Sequence, residues 1–193
     1  MTRILFAALV VVLATAAHAQ QPFATVVPGP EAWWLRTSFN PTHTEVRGIP
    51  VAKIRKGWCK AAEFTRALMP QKQMQEEKSG QLMDEVGLAF SFTGSFDRSK
   101  TKQVALVGVY QECAGNKGSF LLIVDAGTQK VRFVSTTPGE HQFAILSVHE
   151  TDIVLSPCME CDVGRVLRWN AKMKAFRWVR QRGQDAPDWS SRA

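Results

Sequence analysis

The sequence predicts an α+β protein, mainly β: an N-terminal helical segment packed on an antiparallel meander of about eight short strands, possibly curled. Three observations carry that prediction. Strand-length runs rich in Val, Ile, Leu, Phe and Trp recur at Val104 to Tyr110, Phe120 to Asp125, Val131 to Ser135, Phe143 to Val148, Ile153 to Ser156, Gly164 to Trp169 and Ala175 to Val179. The intervals between them hold chain-reversing residues, among them Ala114-Gly115-Asn116, Ala126-Gly127-Thr128, Thr137-Pro138-Gly139 and Asn170-Ala171-Lys172. Short connectors between short strands imply antiparallel neighbours.

Taken in order, Met1 to Ala19 match a cleaved signal peptide: Arg3 gives a positive start, Ile4 to Leu13 an apolar core, and Ala17-His18-Ala19 a small-x-small site. The apolar core is about ten residues, half of what spans a bilayer. No later run is long enough to cross, so the mature chain is expected to be periplasmic or secreted and without a transmembrane segment. Residues 20–47 form an extended lead-in with three prolines between Gln21 and Pro30, interrupted by Trp33-Trp34, which must pack. A single globular domain is expected over 48–182, with a frayed tail over 183–193. Within it Trp58, Ala61, Ala62, Thr65, Leu68 and Met69 recur at threes and fours, which predicts a helix from about Lys56 to Met69, ended by Pro70. Gln71 to Gly80 is polar, a solvated helix or a connector. From Leu88 the period becomes two, and Leu88, Phe90 and Phe92 open the sheet.

Phe96-Asp97 followed by Gln103 to Tyr110 resembles, over about fifteen residues, one blade strand of the FG-GAP type of β-propeller repeat. Arg98, Ser99 and Lys100 replace the Asp-rich calcium loop of such repeats, so no calcium site is carried over and the family is not claimed.

Net charge is +7, and removal of the leader with its one Arg lowers this by one. Such a chain favours anionic partners. The cysteines Cys59, Cys113, Cys158 and Cys161 are even in number in an exported chain, which suggests two disulfides with three connectivities open. In a flat meander Cys113 would lie about 19 Å from the Cys158/Cys161 loop, too far to bridge without curling.

The C-x-x-C pair also admits thiol–disulfide exchange, or a soft metal held with Met159 or a histidine. Against exchange, Glu160 and Asp162 flank Cys161 and would raise a thiol pKa, and a strand rather than a helix follows. Against a metal, His43, His141 and His149 are scattered, with His149 expected at the far end of the sheet. No metal ligand set and no cofactor are therefore assigned.

The last hairpin is basic and aromatic, and Arg165, Arg168, Trp169, Lys172, Lys174, Arg177, Trp178 and Arg180 are its candidate binding residues. An exported chain would present these to an anionic envelope component or an acidic protein, and no nucleic acid is expected. The plainer alternative is a two-faced hairpin with aromatics packed inward and a solvated basic face. G-x-S-x-G, H-E-x-x-H and a phosphate-cradling glycine loop are all missing, which favours a non-enzymatic inhibitor, immunity or envelope-accessory type.

Overall fold

A computed structural model describes residues 22–161 and 163–179. The signal-like segment, Arg180 and the tail from 183 lie outside the described residues. The architecture is mainly β with antiparallel sheets. One sheet holds β5 (Trp58–Glu63), β6 (Ser91–Gly94), β7 (Gln103–Glu112), β8 (Lys117–Asp125) and β9 (Val131–Pro138). The second is a four-stranded meander of β10 (Ile145–His149), β11 (Asp152–Ser156), β12 (Arg165–Asn170) and β13 (Ala175–Trp178). Two small hairpins precede them, β1 (Ala24–Val26) with β2 (Thr37–Phe39), and β3 (Glu45–Val46) with β4 (Ile49–Pro50). The expected single meander is thus divided: the chain breaks between β9 and β10, and the second sheet joins the first at the Ala89–Leu146 bridge, whose two backbone hydrogen bonds are 2.9 Å each.

The expected helix over 56–69 is overturned. Residues 58–63 are strand β5, followed by a 3-10 turn at Arg66–Leu68. Helices occur instead at α1 (Val51–Ile54), α2 (Gln71–Glu76) and α3 (Ser79–Glu85). The physical reason lies at Ala61 and Ala62. Both are fully buried, but Ala62 joins the core between the sheets while Ala61 joins a second core beneath the first sheet. Double coverage at Ala61 and Ala62 makes adjacent positions apolar, and a bulge between Trp58 and Lys60 shifts the alternation, so the apolar residues imitate helical spacing.

The same double burial explains β7 and β8. Ala105, Val107, Val109, Leu121 and Ile123 face the main core; Val104, Leu106, Tyr110, Phe120, Leu122 and Val124 face the second, with Ile54 and Trp58. There Trp58 stacks on Tyr110 at 4.7 Å and 9°. Gly118 and Gly108 stand opposite Tyr110 and Phe120 in the β7–β8 register. A side chain at Gly108 would meet the Ala62 carbonyl at 2.1 Å, so neighbouring backbone and aromatic rings occupy the space a Cβ would take.

Strands β5 and β6 lie end to end on the same edge of β7. The chain leaves the ladder at Phe64, whose N–H donates to the Val107 carbonyl at 2.9 Å, and rejoins at Phe90, whose carbonyl accepts from the Val107 N–H at 3.0 Å. The excursion between carries α2 and α3, anchored by Met69, Met74 and Met83 in the main core. Trp33 caps that core, its indole donating to buried Ser79 Oγ at 2.9 Å and its ring meeting Phe143 edge-on at 5.4 Å.

Candidate functional site

The cysteines form two bridges, Cys59–Cys113 and Cys158–Cys161, with Cα separations of 4.9 and 5.6 Å. The first ties edge strand β5 to the turn after β7. The second closes a short loop after β11, so Cys113 never approaches Cys158. Cys158 is buried in the main core, whereas Cys161 is exposed. A groove of about 380 Å³ runs beside this bridge, with Leu82, Val86, Val154 and Met159 as apolar lining. His149 lines it too, but pairs with Asp152 at the opposite end of β11 from Ser156, about 13 Å of strand away. Among the described residues no three His, Cys, Asp or Glu side chains converge as a metal-binding group.

The register of the second sheet sorts the predicted hairpin residues onto two faces. Arg165, Leu167 and Trp169 alternate on the inner face with Phe176 and Trp178 opposite. Trp169 and Phe176 meet at 5.0 Å, and Phe133 of β9 meets Phe176 and Trp178 at 6.3 and 6.0 Å, so the aromatics pack between the sheets. They are not a stacking ribbon. Arg165 lies over the Trp178 ring at 4.0 Å. Arg168 and Arg177 face outward as direct cross-strand partners, and exposed Lys172 and Lys174 extend the outer charge at the β12–β13 turn. Arg180 lies outside the described residues.

On the outer face His149, Asp152, Arg168 and Arg177 form one row across four strands. Arg168 Nε donates to both Asp152 carboxylate oxygens at 2.8 and 3.0 Å. Those hydrogen bonds hold the Asp152 carboxyl below the usual carboxylate range, against the upward push of burial and with help from the charges of Arg98 and His149. Arg177 has no carboxylate partner among the described residues, and neither do Lys172 and Lys174.

Sequence reasoning did not reach three further features. An open cleft of about 770 Å³ lies at the rim of the first sheet beside Tyr110, Lys117 and Gln142, but its polar groups are largely engaged: Lys117 Nζ donates to Asn40 Oδ1 at 2.9 Å and Gln142 Oε1 accepts the Phe39 N–H at 2.8 Å. Arg132 bridges two buried carboxylates, reaching Asp97 at 3.1 Å and Asp125 at 3.2 Å. Burial pushes the Asp97 carboxyl up, yet hydrogen bonds from Ser99 and Gln103 and the Arg132 charge hold it below its ordinary value. The third is a smaller apolar cavity between the sheets, about 280 Å³, at the inner face of β12. The only sequence signal for it was Arg165, a cation in phase with Leu167 and Trp169.

No protein-family model, curated protein or solved structure matches the chain.

Proposed function

We propose that this chain is an exported, non-enzymatic interaction protein that presents the outer face of its second sheet to an anionic partner, an envelope component or an acidic protein. The observation that supports it best is the cationic edge formed by Lys172, Lys174 and Arg177, which have no carboxylate partner among the described residues. These side chains are exposed and flank Arg168, which is itself tied to Asp152. The arrangement is a fixed scaffold carrying uncompensated charge at its margin, which suits electrostatic capture of an extended anionic surface. The signal-like leader and the two bridges accord with work in an oxidising compartment.

The test is retention of the mature protein on immobilised heparin, as a stand-in anionic polymer, with a salt gradient. Lys172→Glu, Lys174→Glu and Arg177→Glu together are expected to abolish retention at low salt and leave the thermal midpoint within a degree or two, since all three are solvated. Retention equal to that of the native protein sinks the proposal.

A second reading rests on a separate observation, that Cys161 is an exposed residue beside an apolar groove while its partner Cys158 is buried. A partner thiolate could attack Cys161 Sγ and release Cys158 as the leaving thiol, giving a mixed disulfide at Cys161. Incubation of the oxidised protein with a dithiol peptide, quenched by acid, decides it: no mixed disulfide by mass spectrometry rejects this reading.

A further inference from the structure

The space between the two sheets is not filled at one end. There the facing positions carry small side chains, Ser119 on β8, Ala144 before β10 and Gly164 before β12, and a cavity of about 280 Å³ remains against Phe143 and Leu155. The cavity opens to solvent past Thr137, His141 and Val163, and Val163 is 55% exposed, so the entrance as well as the floor has an apolar side.

Ser119 adds a hydroxyl to the lining, and the cation there is Arg165, itself open to solvent. It occupies an inward-facing position of β12, where Leu167 and Trp169 continue the same face, and its guanidinium lies over Trp178 with no carboxylate partner among the described residues. A guanidinium held by an aromatic face keeps its forked donors available, and a carboxylate is the group that matches that fork.

We infer that the cavity is a binding site for a medium-chain aliphatic carboxylate, its chain lying between Phe143 and Leu155 and its head group on Arg165. The volume amounts to roughly nine water-sized units, room for a single chain of about eight to ten carbons and too little for a larger ring system. The ligand fills an apolar void and gives the Arg165 guanidinium a carboxylate partner. The site is separate from the outer cationic edge, from which the body of the second sheet divides it.

Calorimetric titration with sodium decanoate, 1-decanol and sodium acetate, below the micellar range, tests the assignment. The native protein is expected to bind decanoate saturably at one site, decanol at least tenfold more weakly, and acetate not measurably. Arg165→Gln should weaken decanoate tenfold or more and leave decanol unchanged. Ala144→Phe, which fills the floor, should remove both; if its circular dichroism shows that it does not fold, Ser119→Leu replaces it. No saturable decanoate binding to the native protein overturns the inference, as does an Arg165→Gln variant that binds decanoate like the native protein. Heparin retention is not expected to respond to decanoate, so failure here is distinguishable from failure of the proposed function.

Discussion

Removing the Cys59–Cys113 bridge tests how the two halves of the first sheet are held together. The residues are 54 apart in sequence, and the loop-closure relation for a ring of that size assigns the bridge about 4 kcal/mol, through restriction of the unfolded chain. Both cysteines are exposed at the sheet rim, so Cys59→Ala with Cys113→Ala opens no cavity and the loss reports chain restraint almost alone. The Cys158–Cys161 separation is 3, for which the same relation gives about 2 kcal/mol. Its double alanine variant also loses the buried Cys158 sulfur, about 1 kcal/mol more. Urea unfolding followed by tryptophan fluorescence measures both variants. The first should show the larger loss of stability, together with a steeper denaturant dependence, because an unbridged unfolded chain exposes more surface. A loss below about 1 kcal/mol with unchanged slope would refute the loop-closure reasoning for this bridge.

Other consequences can be checked in the same assay. Trp33→Phe removes the donor to buried Ser79 and should cost about 1–3 kcal/mol beyond packing. Trp58→Phe deletes a buried Nε1 that has no partner among the described residues; the relief offsets lost contact, so the net change should stay within about 1 kcal/mol. Equal losses for the two would contradict the assigned hydrogen bonds. Arg132→Gln leaves Asp97 and Asp125 buried and facing each other, and should cost about 3 kcal/mol at pH 7. The Asp97 pKa is lower folded than unfolded, so its stabilisation is complete above the unfolded value of about 4 and is lost as pH falls through the folded one. The Arg132→Gln penalty should therefore shrink in acid, and a pH-independent penalty would count against the network. Gly108→Ala drives a methyl into the Ala62 carbonyl and should cost at least about 2 kcal/mol, with strand β5 the first to lose amide-exchange protection.

Much of the sheet was legible in the sequence because β7 and β8 are long apolar runs bounded by Gly115 and Gly127, and such runs have few alternatives. The last hairpin was legible for the same reason, with Asn170 to Lys174 as its turn. Strand β5 was not, since a bulge between Trp58 and Lys60 and burial of Ala61 and Ala62 on opposite faces erase the alternation by which a half-buried strand is recognised, and the apolar residues then fit a helical spacing equally well. The division into two sheets was also hidden. Nothing local in Gly139 to Gln142 distinguishes a turn within a sheet from a passage between sheets; the difference depends on Ala89 meeting Leu146, a contact between distant segments. The candidate sites divide in the same way. The charged edge could be read from Lys172 to Arg177, but which arginines were already paired could not, because Asp152 lies on another strand. The cavity at Arg165 is made of small residues from separate segments, each unremarkable in its own stretch.

The chain leaves β7 at Phe64 and returns at Phe90, and both departures are recorded on the single residue Val107. To its neighbour, the edge therefore reads as one uninterrupted partner, although a helical segment is spliced into it. Length in that segment is uncoupled from alignment in the sheet: residues can be added to or taken from its exposed turns without moving any partner of β7 by one position. The fold thus carries a docking bay for sequence change in the middle of its most ordered layer, a place where a lineage could rebuild a surface and leave the frame as it was.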